Sequence, residues 1–355
     1  MAKPKLAIAC QGGGSQTAFT AGVLKSFFQN NVHRKKEIVG FSGTSGGAVC
    51  AALSWYSLLK SAANDNTPVE ERLIEFWKAN STSNVIEEVM NNIAVSVEQL
   101  IDHGLLPEWK ASPGSPIRQA MQTTYEIIFP KFYNFRRLLQ EHMNFDEIPQ
   151  LVKSKSPVLL IGAANVLTGE FKKFSSLKNE IQVESILASA ALPSIFPAVQ
   201  IGDAAYWDGL FSDNPPIDAL ADTDYVGKER VPDEIWVIQI NPLSCKKIPE
   251  TPQDILDRRN EMIGNDSLLQ GIQHIDRINK LLKRGAFSEE YITDHNLKQI
   301  DVYIITMSKD LLDTLDYASK LDRDSSFIEK LLEDGVRQGE LFLKNPKSMQ
   351  HVVKK

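Results

Sequence analysis

Residues 38–59, IVGFSGTSGGAVCAALSWYSLL, place the pentapeptide Gly43-Thr44-Ser45-Gly46-Gly47 between a short apolar run and a segment with helical periodicity. This G-x-S-x-G pattern is typical of a nucleophile elbow, in which a strand turns sharply into a helix and lifts a serine above the sheet. The positive end of the helix favours negative charge at the serine oxygen. Ser45 is therefore the candidate nucleophile, and the alternative is a glycine-rich turn without chemistry.

Similar apolar runs recur along the chain and alternate with helical segments, which is typical of a mainly parallel sheet covered by helices. The predicted strands are residues 6–10, 38–42, 158–165, 235–241 and 302–307. Helices are predicted over 18–28, from residue 46 onward, and over 253–283. The strand signal disappears over 64–150, so we expect a helical cap inserted into a single domain of residues 1–355, with a flexible basic tail at 344–355.

A second glycine-rich segment, Gln11-Gly12-Gly13-Gly14-Ser15, lies directly after the first predicted strand and before the first predicted helix. Consecutive glycines let backbone N–H groups converge on one point, and at a helix N-terminus such groups bind an anion. Gly12, Gly13 and Gly14 are therefore candidates for an oxyanion hole. A nucleotide-phosphate loop is the alternative, but the Gly-Lys-Ser/Thr ending of a P-loop is missing, and Thr17 stands where the dinucleotide motif has its third glycine.

A nucleophilic serine needs a base, and the sequence offers two kinds. His274, His295 and His351 follow the acidic candidates in the Ser, Asp, His order of a classical hydrolase, but none lies in a predicted strand-end loop, so we expect solvated or packing histidines. Asp208 ends an apolar, aromatic stretch and opens a turn. Burial there would raise its pKa above the ordinary value of about 3.9, which suits a general base. The alternative is an ordinary Asp-Gly turn.

The amino-acid composition excludes several classes of protein. The 355 residues carry a formal net charge of -6, so the chain as a whole lacks the basic surface of a nucleic-acid binder. Cys10, Cys50 and Cys245 form neither a disulfide framework nor a zinc site, so we expect a reducing compartment and no metal. We find no targeting signal and no apolar run of about 18 residues, and so expect a cytoplasmic protein with at most peripheral membrane contact.

Taken together, these segments resemble the patatin-like phospholipases. The matching pieces, in the order of the family, are QGGGSQTAFTAGVL (11–24), GTSGGA (43–48), ASAALPSIFPAV (188–199) and YWDGLFSDNPP (206–216). The resemblance implies a three-layer α/β/α sandwich related to the α/β hydrolases. It also implies a Ser45–Asp208 dyad without a catalytic histidine, an oxyanion hole at Gly12, Gly13 and Gly14, no cofactor, and phospholipase A or lysophospholipase activity on lipids at a membrane surface.

Three residues depart from the family pattern. Gln11 stands where the family usually has Asp, Gln16 where it usually has Arg or Lys, and Leu210 where a second glycine is common. A neutral Gln16 brings no positive charge to the transition state, and we expect Gln11 and Gln16 to form a neutral hydrogen-bonded pair in place of a charged one. The alternative function is therefore a catalytically weak or silent patatin-fold protein that binds lipid or a partner.

Overall fold

A computed structural model describes residues 3–82, 91, 135–193, 196–245, 248–316 and 318–349. Within these ranges one eight-stranded sheet has the order β5-β6-β3-β2-β1-β7-β8, and β4 pairs with β3 beside this path. The strands are β1 Lys5–Cys10, β2 Glu37–Gly43, β3 Val158–Asn165, β4 Phe171–Ser175, β5 Val199–Ile201, β6 Ala204–Asp208, β7 Glu234–Gln239 and β8 Asp301–Thr306.

The five strands predicted from sequence are the ones that pair in parallel, namely β3, β2, β1, β7 and β8. The other strands, β4, β5 and β6, join the sheet in antiparallel pairs, and the sequence analysis missed all three. Two of them give a weak signal, because β4 carries two lysines and β5 has only three residues. The predicted α/β class with a mainly parallel sheet is confirmed.

Helices lie on both faces of the sheet. They are α1 Ala18–Gln29, α2 Val32–Lys35, α3 Gly46–Ala62, α4 Glu71–Asn80, α5 Phe135–His142, α6 Ile148–Leu151, α7 Val183–Ser189, α8 Thr223–Val226, α9 Pro252–Lys283, α10 Glu289–Asp294, α11 Lys309–Leu312 and α12 Ser325–Lys344. The helices predicted over 18–28, from 46 and over 253–283 correspond to α1, α3 and α9.

Successive side chains of the central strand β1 point to opposite faces of the sheet, so the core has two layers. Leu6 and Ile8 of β1 belong to the larger apolar cluster, with α1, α3 and α12, whereas Ala7 and Ala9 belong to a second cluster on the other face. Helix α9 covers that second face with an apolar stripe of Leu268, Ile272 and Ile275. Two buried faces explain why the central strands are continuous apolar runs. The expected three-layer arrangement is therefore confirmed.

The sheet topology determines where a site can form. Strands β2 and β7 lie on opposite sides of β1, so the chain leaves β1 at a point where the strand order reverses. In open α/β sheets, ligands bind beyond the carboxyl ends of the strands at such a switch point. Both glycine-rich motifs follow strands that end at this edge, β1 and β2.

The predicted cap and tail lie largely outside the described residues. Of the segment 64–150, the structure describes 64–82, 91 and 135–150, which contain α4, α5 and α6. Of the tail, residues 346–349 form a short 3-10 helix, and 350–355 lie outside the described ranges. The cap, the tail and the single-domain boundary remain predictions. In the part of the chain that the structure describes, no helix is both long and apolar enough to cross a membrane.

Candidate active site

Ser45 occupies the turn between β2 and α3. The strand ends at Gly43 and the helix begins at Gly46, and Ser45 between them has φ of 56° and ψ of -132°. A positive φ is costly for a residue with a side chain, and such strain persists where the surrounding structure holds it. Ser45 is only partly buried, so a substrate can reach its hydroxyl. The strand, turn and helix predicted around Ser45 are confirmed.

Gly47 allows this turn to approach the neighbouring strand. A Cβ atom at Gly47 would lie 2.3 Å from the carbonyl oxygen of Cys10 and 2.5 Å from that of Gln11. Both are backbone atoms, so no side-chain movement could relieve the overlap. The glycine therefore brings the start of α3 directly against the end of β1, and with it Ser45 against the second glycine-rich segment.

Ser189, at the end of α7, fixes the backbone of the turn. Its Oγ accepts a hydrogen bond from the Ser45 N–H at 3.0 Å and donates one to the carbonyl oxygen of Gly162 in β3 at 2.7 Å. One hydroxyl thus ties the turn to the neighbouring strand. Sequence reasoning assigned Ser189 no role, although it lies within the quoted segment ASAALPSIFPAV.

Asp208 ends β6 and faces Ser45. Its backbone N–H donates to the carbonyl oxygen of Ala191 at 2.9 Å, and its Oδ1 accepts from the N–H of Leu210 at 2.8 Å. The Ser45 side chain lies close enough to the Asp208 carboxyl to lower its pKa. Burial raises the pKa of Asp208 to about 7, although the nearby Ser45 side chain and the hydrogen bond from the Leu210 N–H oppose the rise. Near neutral pH, part of the protein therefore has Asp208 ionised and part has it protonated.

Gly12, Gly13 and Gly14, called the glycine loop below, connect β1 to the 3-10 helix Gly14–Thr17. The Gly12 N–H donates to Asn214 Oδ1 at 2.7 Å, so its hydrogen bond is already taken. Gly13 and Gly14 stand at the N-terminus of the 3-10 helix, where N–H groups have no partner within the helix. Gly14 has φ of 57°, which suits glycine. Two of the three predicted amides thus lie where an oxyanion could be bound.

Gln11 does not pair with Gln16, and the expectation of a neutral pair is wrong. The Gln11 side chain is fully buried, and its Oε1 accepts from the N–H groups of Ile240 and Asn241, both at 2.8 Å. Its Nε2 contacts three acceptors, the carbonyl oxygens of Asn214 (3.3 Å) and Gly264 (3.2 Å) and Asn265 Oδ1 (3.0 Å). Gln11 therefore joins the ends of β1 and β7, the Asn214 loop and helix α9.

Gln16 points to a different part of the chain. Its Nε2 donates to Ser319 Oγ at 2.9 Å and to the carbonyl oxygen of Asp316 at 3.3 Å. The side chain is 3% exposed, so these bonds form in the interior. Gln11 and Gln16 are five positions apart but bind different segments of the chain. No local pattern in the sequence could indicate this difference. Gln16 therefore joins the 3-10 helix after the glycine loop to the segment around Ser319.

One cavity of about 120 Å³ is lined by Ser45, Asp208 and the glycine loop. Residues of both glycine-rich motifs therefore meet in it. Part of its lining is apolar and consists of Ala190, Leu192, Phe196, Leu210 and Leu321. The remainder is polar and consists of Asn214, Asn241, Asn260 and Lys320. An amphiphilic cavity of this kind suits a molecule with an apolar chain and a polar group. Leu210, one of the departures from the family pattern, contributes to the apolar part.

The histidines considered from sequence lie elsewhere. His274 lines a separate surface pocket, and His295 is exposed and stacks on Tyr291. His351 lies outside the described residues. Among the described residues that line the Ser45 cavity, none is a histidine. Across the described ranges, no group of three or more His, Cys, Asp or Glu side chains is placed to hold a metal ion.

Comparison with solved structures gives distant matches. The chain is similar to VipD from Legionella pneumophila, at 12% identity and a TM-score of 0.36, over 94% of this chain and 67% of that one. It is also similar to the type III effector protein ExoU, at 12% identity and a TM-score of 0.32, over 96% of this chain and 54% of that one. The chain therefore spans about half the length of ExoU.

Comparison of the sequence gives a clearer result. A search of curated proteins finds no match. The sequence model of the patatin-like phospholipases matches residues 8–221, which is more than half of the chain and includes both Ser45 and Asp208. The family indicated by the four quoted segments is thus confirmed: this chain belongs to the patatin-like phospholipases.

Proposed function

We propose that this protein hydrolyses fatty acyl esters of lipids, with Ser45 as the nucleophile and Asp208 as its base. The observation that carries the proposal is the position of the Ser45 side chain beside the buried Asp208 carboxyl, inside a cavity that the glycine loop also lines. A nucleophile within reach of a base, beside free backbone donors, is the arrangement that acyl transfer requires.

The first half of the reaction forms an acyl-enzyme. Asp208 accepts the proton of Ser45 as the Oγ atom bonds to the ester carbonyl carbon. The oxygen of the tetrahedral intermediate takes the negative charge and is stabilised by the N–H groups of Gly13 and Gly14. The bond to the alcohol then breaks, and the departing alkoxide takes the proton from Asp208.

The second half releases the fatty acid. Asp208 takes a proton from a water molecule whose oxygen attacks the acyl carbon, and the same amides stabilise the second intermediate. Cleavage of the bond to Ser45 Oγ frees the acid, and Ser45 regains its proton from Asp208. A base that ionises near neutral pH suits both halves, because it must accept and return a proton in each.

The substrate class follows from the lining of the cavity. The apolar part, which includes Leu192, Phe196 and Leu321, fits the start of an acyl chain. Phe196 is 48% exposed and Leu321 40% exposed, so the apolar lining continues to the surface. We place the reaction at a lipid surface that the protein contacts peripherally. None of Cys10, Cys50 and Cys245 is in a disulfide, which supports a reducing compartment such as the cytoplasm.

The pH dependence of turnover should reflect Asp208. The base must be ionised to accept the Ser45 proton, so kcat/KM should rise with pH through an apparent pKa of about 7 and then level off. At pH 5 it should be about a hundredfold below its plateau. Initial rates with a p-nitrophenyl ester at matched ionic strength, corrected for the spontaneous reaction, give this profile. A profile already flat from pH 5 upward would contradict an Asp208 base of raised pKa.

The experiment that tests the function is a substrate panel. Purified protein is incubated with phospholipids, lysophospholipids, acylglycerols and short p-nitrophenyl esters, and released fatty acid or nitrophenol is quantified beside a Ser45→Ala variant. We expect release from at least one lipid class that vanishes in the variant. Lipid binding without release from any ester would instead support a catalytically silent lipid-binding protein.

A further inference from the structure

Lys320 lies in the wall of the Ser45 cavity and is the one cation among the described residues that line it. It ends the 3-10 helix Ala318–Lys320, between β8 and α12. Its backbone touches the glycine loop, because a Cβ atom at Gly14 would lie 2.3 Å from the Lys320 carbonyl oxygen. A residue remote in sequence from every quoted motif therefore lies next to the proposed oxyanion site.

Contacts on both sides hold Lys320 in place. Its Nζ lies 2.7 Å from Asp257 Oδ1 of helix α9, and the two side chains are only 15% and 16% exposed. Gln16 anchors the preceding residue through its bond to Ser319 Oγ. The ion pair and the anchored neighbour thus hold the Lys320 side chain beside the cavity that this residue lines, which lowers the entropy lost when it binds a ligand.

The ion pair with Asp257 accounts for the partial burial of Lys320, and the chemistry of the substrate indicates what a cation in this wall could bind. The scissile ester is neutral, and the apolar lining gains nothing from a charge. Phosphate offers several strong acceptor oxygens, and an ammonium has three donors, so Lys320 can bind phosphate while it keeps its bond to Asp257. Asn241 and Asn260 line the same cavity and carry amide donors of the kind that also bind phosphate oxygens.

We propose that Lys320 binds the phosphate of a lipid ester next to the scissile bond and so determines the specificity of the site for phosphate-bearing lipids. The proposal rests on the proposed ester hydrolysis. The apolar lining would hold the acyl chain and Lys320 would hold the phosphate.

Two single-chain substrates with the same acyl group test it: lysophosphatidic acid, which carries phosphate, and the matching monoacylglycerol, which does not. Lys320→Met should lower the ratio of their kcat/KM values about tenfold or more, because a charge-assisted hydrogen bond to phosphate is lost. Lys320→Arg should keep most of the preference. Lys36→Met is the matched control, since Lys36 forms an ion pair of similar exposure with Glu234 at the other end of β2 and should leave the ratio unchanged.

A second variant excludes an indirect effect. Lys320→Met leaves Asp257 without its cation, so Asp257→Asn combined with Lys320→Met is measured beside it and should show the same fall in the ratio. Inorganic phosphate should inhibit only weakly, because it lacks the acyl chain. Inhibition by inorganic phosphate with a constant below the KM for lysophosphatidic acid would overturn the proposal in favour of a free-phosphate site.

Failure of the Lys320 proposal can be distinguished from failure of the proposed ester hydrolysis. If turnover persists and both substrates lose equally, or neither loses, the Lys320 proposal is overturned and ester hydrolysis stands. If the parent protein hydrolyses neither of these lipids nor any other ester of the substrate panel, the proposed function is overturned and the Lys320 proposal is tested by binding alone. Calorimetric binding of the same two lipids then decides: weaker binding of lysophosphatidic acid alone in Lys320→Met supports the proposal, and equal affinities overturn it.

Discussion

Replacing Ser45 with alanine, or Asp208 with asparagine, is expected to lower kcat/KM on any ester that the protein hydrolyses by about a thousandfold or more. Removal of a nucleophile or its base costs several orders of magnitude in serine hydrolases, and residues that act as one unit are not additive. The double variant should therefore be no slower than the slower single variant. Turnover within tenfold of the parent in either single variant would contradict the dyad.

The variants are chosen so that loss of activity cannot be mistaken for loss of fold. The asparagine at 208 keeps an oxygen that can accept from the Leu210 N–H. Ser54→Ala is the matched control for Ser45→Ala, because Ser54 lies in helix α3, which follows Ser45, and its buried hydroxyl has no hydrogen-bond partner among the described residues. It should keep full activity and nearly unchanged stability.

Asp208→Asn should also make the fold more stable at alkaline pH. The raised pKa of Asp208 means that the folded protein binds more protons than the unfolded chain between about pH 4 and 7, so the parent loses stability as pH rises through this window. Asparagine does not titrate. At pH 8 the variant should therefore have a free energy of unfolding up to about 4 kcal/mol above the parent. Urea unfolding at pH 4 and pH 8 measures the difference.

Loss of the Gln11 amide is expected to have the largest effect on stability. In Gln11→Leu the N–H groups of Ile240 and Asn241 and the carbonyl oxygen of Asn214 lose their partner in the interior. Each buried polar group left unpaired costs about 1–3 kcal/mol, so the free energy of unfolding should fall by about 4 kcal/mol or more. Gln200→Leu, at an exposed position, should change it little.

Gln11→Glu keeps the size of the side chain and replaces its amide donor with a carboxyl oxygen. One carboxylate oxygen can still accept from the Ile240 and Asn241 N–H groups, but the other faces the carbonyl oxygens of Asn214 and Gly264 and repels them once the group ionises. The carboxyl should therefore have a raised pKa, and the variant should lose stability as pH rises above about 4. Equal stability of Gln11→Glu and the parent at pH 8 would contradict the network described for Gln11.

The sequence predicted the parallel part of the sheet because that part is buried on both faces, which produces continuous apolar runs such as 6–10 and 158–165. Strands β4 and β6 were missed for a physical reason. They pair antiparallel with β3, and such short segments depend on their neighbour for stability more than on their own pattern. Ser45 was identifiable from local geometry, because the tight turn restricts which residues fit.

Contacts between distant segments could not be predicted from local pattern. Asp208 was a candidate base from its turn, but its pairing with Ser45 came through the family resemblance, since only the assembled sheet brings the end of β6 near the turn after β2. Gln11 and Gln16 were expected to face each other because they are near in sequence, yet their backbone positions at a strand end and in a 3-10 helix direct them to different neighbours. Lys320 gave no signal, because its place in the cavity depends on the docking of its segment against Gly14.

Labelling with a fluorophosphonate tests the central claim most directly. An activated serine attacks the phosphorus and displaces fluoride, forming a stable phosphonylated serine, whereas ordinary hydroxyls react far more slowly. Mass spectrometry of the digested protein should find the label on Ser45 in the parent, at a rate that rises with pH through about 7, and on no residue in Ser45→Ala. Stoichiometric labelling of another serine, or equal labelling of the parent and Ser45→Ala, would contradict Ser45 as the nucleophile.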